Sequence, residues 1–242
     1  RCPVCEKRHC KEVHSNCDPI PASGKIKASA NTMYNTMKNT YPDGPETFAF
    51  SDFENLLRTN GHNENSIGLS YYSDEEVYRL RELKTGNSPT SVKVTIFTTT
   101  VATIHNHPNG TPPSGIDFLN TAKWVSDNNV YSTTYVYTTN GNYALYIEDV
   151  QKAKLFYSKY SNCLSDTETK MFKAESDLDK KWESIYKELK GLSDTDRHMM
   201  SLAELAKQTN SGIRILKSEP SSSNSFGLYY TQTIDDKIIP YN

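Results

Sequence analysis

Apolar positions along the chain change their period several times, and each change marks a new element. Ile26, Ala30, Met33 and Met37 recur at three- and four-residue spacing, which predicts a helix over residues 25–39. The stretch TYPDGPET breaks it, and residues 48–58 suit a second short helix. The period then shortens: residues 66–72, 76–81 and 91–97 read as strands, and 101–104 leads into HNHPNGTPPSGID. Ile116, Leu119, Ala122 and Val125 restore helical spacing over 116–126. Strand patterns at 130–137 and 143–147 flank TTNGN, whose Asn-Gly is a hairpin signal. Beyond Glu148, residues 150–160, 167–189 and 197–208 are helical in pattern, while 212–217 and 226–233 suit a terminal hairpin. This order predicts an α+β protein, an α/β/α sandwich in which helices flank a mixed β-sheet.

Composition narrows the picture. Counted with Gly and without Tyr, apolar residues are about 34% of the 242, against roughly 45–50% in an ordinary domain. The core must therefore be small, or supplemented by aromatics and metal. With 23% charged residues and a net charge of -2, neither a highly charged disordered chain nor a basic nucleic-acid binder is indicated. The most apolar run, 92–104, is too short and too rich in Thr to span a membrane. Four of the five cysteines, Cys2, Cys5, Cys10 and Cys17, fall in the first 17 residues together with His9 and His14. A tail of that length cannot bury a core, so it needs a staple: a structural zinc drawn from these six residues, or two disulfides in an exported protein. Cys163 stands alone and reads as a plain thiol. The expected organisation is a Cys/His-rich tail at 1–17, a linker at 18–25, a compact unit at 26–148, and a helical extension at 149–242 whose terminal hairpin packs on the core.

The sharpest local feature is His105-Asn106-His107-Pro108 with Asp117 ten residues beyond His107. Histidines at i and i+2 of an extended segment point to one face. Asp117 follows a Pro/Gly-rich turn, in the first turn of the predicted helix, from which its carboxylate can reach the imidazoles. Two His and one carboxylate leave a tetrahedral zinc one open position, the arrangement of catalytic sites. Ser114 and Asp117 also satisfy the S-x-x-D capping box, so a purely structural reading of both stays open.

These residues, H-x-H-P followed by S-x-x-D at a helix start, resemble the signature of the JAMM (Jab/MPN) metalloprotease superfamily. HNHP with Asn-Gly after it is most similar to its bacterial, RadC-like branch. The resemblance covers about residues 26–148 and implies a cytidine-deaminase-like fold. It also implies zinc ligation by His105, His107 and Asp117, and a Ser114 that orients the water or the oxyanion. One departure stands: six residues separate His107 from Ser114, where the family pattern has seven. The family also needs a Glu at the start of an earlier strand as general acid and base. Glu64 fits that place best, with Glu75, Glu76 and Glu46 as alternatives.

The expected function is that of a zinc-dependent peptidase or isopeptidase acting on a peptide or protein substrate. The alternatives are a JAMM-like interaction scaffold without catalysis and an exported bacterial effector or toxin domain. The Cys cluster and the Ser/Asn-rich composition tilt the expected location toward the bacterial cell envelope or exterior. No nucleic-acid partner is expected.

Overall fold

The computed structural model describes residues 23–165, 170–218, 225–234 and 237–241. The cysteine-rich tail, with Cys2, Cys5, Cys10, Cys17, His9 and His14, lies outside the described residues. Two helices come first, α1 (Ser23–Asn39) and α2 (Phe50–Asn60). The strands β1 (Asn65–Tyr72), β2 (Val77–Thr85) and β3 (Thr100–Asn106) follow. Helix α3 (Gly115–Asp127) leads to the hairpin β4 (Thr133–Thr138) and β5 (Gly141–Ile147). Three helices, α4 (Val150–Tyr160), α5 (Asp177–Glu188) and α6 (Asp194–Gln208), precede β6 (Ile213–Ser218), β7 (Gly227–Ile234) and β8 (Lys237–Tyr241). The protein is thus α+β, with a mixed sheet in the order β2-β1-β3-β4-β5-β6-β7-β8. Only β3 and β4 pair in parallel among the described strands. A parallel pair needs a crossover, and α3 supplies it.

Side chains of a strand alternate between faces, and here that divides the core in two. Tyr135, Ala144 and Leu216 pack under α1 and α2 with Ile26, Tyr34 and Phe53. Their neighbours Val136, Tyr143, Leu145 and Ile215 pack on the other face beneath α3 to α6, with Phe118, Phe156, Trp182 and Leu202. The two apolar layers explain how a lean composition suffices: aromatic side chains carry much of the volume, and Tyr34, Tyr131, Tyr135 and Tyr143 are all fully buried. Among the described residues no helix is long and apolar enough to cross a membrane.

Three expectations of local structure give way. Residues 91–97 join no ladder among the described strands. Their alternation has another cause: Val92 and Val94 line a cleft, while Ile96 packs against the core under α3. Of the long helix expected over 167–189, residues 167–169 lie outside the described residues and the rest holds only the shorter α5, which begins where the Ser176 hydroxyl accepts from the Asp179 N–H. Met171 and Phe172 lie outside it, and Phe172 is buried in the core. In the β4–β5 hairpin, Thr138 pairs with Gly141, so Thr139 and Asn140 form the turn instead of Asn-Gly. The terminal strands β6 and β7 do pair, and β6 also pairs with β5, so they continue the central sheet.

Candidate metal centre

The site forms at the carboxyl end of β3, whose seven residues are all buried. Strands β1 and β3 are antiparallel with Ser66 opposite His105 and Ile67 opposite Ile104. Continuing that register two residues beyond Ser66 places Glu64 opposite His107, with their Oε1 and Nε2 3.7 Å apart. The His107 N–H extends the β3–β4 pairing by donating to the Tyr137 carbonyl at 2.9 Å. The chain then turns, with the Gly110 N–H on the His107 carbonyl, and the Pro-rich loop delivers it to Ser114, the N-cap of α3. The capping box is complete. The Asp117 N–H donates to Ser114 Oγ at 3.1 Å, and the Ser114 N–H donates to Asp117 Oδ2 at 2.6 Å.

This path brings three of the expected side chains to one point. His105 Nε2 lies 3.1 Å from His107 Nε2 and 3.1 Å from Asp117 Oδ1, and His107 Nε2 lies 3.5 Å from Asp117 Oδ2. Ligand atoms held about 2.0–2.1 Å from a tetrahedral ion are about 3.3 Å from one another, so these separations bracket what such an ion needs. The buried His-His-Asp triad could hold a metal ion. The rings are turned for it. A hydrogen bond of 3.0 Å between His107 Nδ1 and the Thr111 carbonyl puts the ring proton on Nδ1 and leaves the Nε2 lone pair to the cluster. His105 Nδ1 is buried without a hydrogen-bond partner among the described residues, so packing in β3 holds that ring.

Electrostatics favours a cation at the same place. Burial works against charge on His105, yet the Asp117 carboxylate beside it, with a smaller effect from Glu64, raises its pKa. Burial lowers the pKa of His107, the Asp117 carboxylate offsetting part of this and His105 adding to it. Burial likewise opposes the Asp117 carboxylate, but the two imidazoles and the Ser114 N–H overcome it and hold its pKa far below the usual range. The carboxylates of Asp117 and Glu64 thus favour positive charge at His105, which a divalent ion at the same point would also supply.

Ser114 serves the carboxylate directly: its hydroxyl donates to Asp117 Oδ2 at 2.8 Å. An oxyanion role for Ser114 requires that bond to be exchanged for one to substrate. The alternatives to Glu64 lie elsewhere. Glu75 and Glu46 pair with Arg79 and Arg81 at the outer strand β2, and Glu76 is an exposed turn residue with φ 55°. Cys163 is a buried free thiol.

Several supporting residues escape a reading of the sequence. Asn106, between the two histidines, points to the opposite face of β3. Its Oδ1 accepts from the Asn65 N–H at 2.6 Å and its Nδ2 donates to the Asn63 carbonyl at 3.0 Å, which clamps the backbone on both sides of Glu64. A Cβ at Gly86 would sit 1.8 Å from the Glu64 carbonyl oxygen, so only glycine lets the neighbouring chain pass there. Buried hydroxyls anchor α3: Thr121 donates to the Asp117 carbonyl at 2.7 Å and meets Thr134, which meets Tyr131.

The carboxy-terminal layer also reaches the metal loop. His198 on α6 bonds through Nε2 to the buried Pro113 carbonyl at 2.9 Å, its ring edge-on to Trp182. A Cβ at Gly115 would lie 1.7 Å from the Met171 carbonyl oxygen, so the start of α3 is pressed against the segment before α5. Burial lowers the His198 pKa, the Pro113 carbonyl offsetting part of the effect, so the ring is a neutral donor. His198→Ala leaves the Pro113 carbonyl buried and unpaired, and is expected to lower stability by about 1–3 kcal/mol. His198→Gln, which can still donate, should recover part of the loss in urea unfolding.

A cleft of about 390 Å³ opens in front of the cluster. One wall is residues 89–94, with Val92 and Val94 facing in, and the other is the Ile116, Asn120 and Trp124 side of α3. No protein-family model matches the chain, and no match is found among curated proteins or solved structures.

Proposed function

We propose that the protein is a zinc-dependent amide hydrolase, a peptidase or isopeptidase of the JAMM type. The observation that carries the reading is the His105, His107 and Asp117 triangle with the Glu64 carboxylate 3.7 Å from His107, at the head of an open cleft. The donor set is borderline to hard, two nitrogens and a carboxylate, which suits zinc and leaves one position open. Bound there, zinc would make water a nucleophile near neutral pH and steady negative charge on the attacked carbonyl oxygen.

The protein's own groups do the rest. Glu64, fixed by the Asn106 clamp, takes a proton from the attacking water and returns one to the amide nitrogen as the C–N bond breaks. Asp117 is oriented by Ser114 from one side and by the anchored start of α3 from the other. The walls of the cleft accept a chain that approaches along α3. A mixed sheet with its site at the end of β3 and helices on both faces is compatible with a Jab/MPN architecture, which forms the finer part of this proposal.

Zinc-loaded protein is expected to hydrolyse blocked peptides from a mixed-sequence library, to stop on chelation and to resume on adding zinc. Mass spectrometry of the products checks it. Stoichiometric zinc at the cluster with no cleavage of any amide would overturn the hydrolase reading.

A further inference from the structure

The cleft wall formed by α3 carries charge as well as shape. Taking about 100° per residue, Lys123, Ile116, Asn120, Trp124 and Asp117 fall in that order across a continuous arc of about 120° on the helix surface. All five line the cleft. Asp117 marks the metal end, and Lys123 lies six residues on, about 9 Å farther along the helix axis at 1.5 Å per residue.

Lys123 is exposed, and no hydrogen bond or ion pair engages it among the described residues. It is also the one Lys or Arg among the residues lining the cleft. On the facing wall, Val92 and Val94 turn inward while Lys93 does not line the cleft. With a divalent ion bound, the charges of Glu64 and Asp117 are balanced, which leaves Lys123 as the uncompensated charge of the cleft. Between it and the cluster the α3 wall presents Asn120, and the facing wall presents Val92 and Val94 beside Thr90 and Ser91.

Resting on the hydrolase reading, we propose that the substrate carries a carboxylate two to three residues from the scissile amide, held by Lys123. The spacing follows from the axial offset: an extended chain advances about 3.3 Å per residue, so about 9 Å is two to three residues. Lys123 selects the substrate and takes no part in bond breaking.

Straight-chain hydroxamic acids, which grip a zinc ion at one end, test this without turnover. Each carries a terminal carboxylate in one compound and a carboxamide in its twin, over a series of chain lengths. Binding is measured by calorimetry on zinc-loaded full-length protein. In the best-fitting length the carboxylate compound is expected to bind about fivefold more tightly than its twin at low salt, the scale of one partly exposed charge pair. The advantage should shrink as salt rises and vanish in Lys123→Ala and Lys123→Gln. Twins that bind equally to the wild-type protein at every length, or an advantage that survives in Lys123→Ala, would overturn the proposal and leave the metal site standing. Failure of both twins to bind zinc-loaded protein would overturn the proposal together with the hydrolase reading.

Discussion

Glu64→Gln is expected to cut kcat by about 10²–10⁴-fold, the contribution of a positioned general acid and base, while leaving zinc content unchanged. The substitution preserves side-chain shape while removing the charge and the ability to accept and return a proton. Its neighbours make it a clean probe. The backbone around Glu64 is held by Asn106 at 2.6 and 3.0 Å and by the Glu64 N–H on the Ser88 carbonyl at 2.8 Å, so the segment has no reason to move. Zinc assay and steady-state kinetics on the same preparation separate the two effects. Retained activity would remove Glu64 from the mechanism.

Asp117→Ala acts at the other end of the site. It removes one of the three proposed ligands together with the negative charge beside the histidine pair. Zinc affinity is expected to fall by more than about a hundredfold, beyond the 10–100-fold typical of outer-shell partners, as read by chelator competition. The same change removes the acceptor of two Ser114 hydrogen bonds, 2.6 and 2.8 Å long, so about 1 kcal/mol of cap stability should go with it. His105→Ala should lose zinc comparably while leaving the cap intact, which separates ligand loss from damage to the helix start.

The sequence made some parts of this site legible and concealed others, for physical reasons. His105 and His107 could be paired because strand alternation is a local rule, and Asp117 because a capping box fixes a helix start within three residues. Glu64 could be placed only near the start of a strand, since its proximity to His107 depends on the β1–β3 register. Asn106, Gly86 and His198 were not legible, because their roles depend on chain segments that meet only in the folded protein: His198 is 85 residues from Pro113. Residues 91–97 misled because inward-facing Val92 and Val94 give a cleft wall the same two-residue period as a strand. The helix expected from 167 misled because half-buried Met171 and buried Phe172 continue the apolar spacing of α5 across a break that the Ser176 cap creates.

Zinc absorption spectroscopy on protein with Cys2, Cys5, Cys10 and Cys17 replaced by Ser tests the central claim most directly. The four substitutions leave no sulfur ligand in the tail, and dependence on Asp117 then tells zinc held by β3 and α3 from zinc held by His9 and His14. The expected spectrum shows one zinc per chain with two imidazole nitrogens and a carboxylate oxygen at about 2.0–2.2 Å, plus one light atom from solvent, and it is lost in Asp117→Ala. A protein that binds no zinc once the cysteines are gone, or whose zinc spectrum survives Asp117→Ala unchanged, would contradict it.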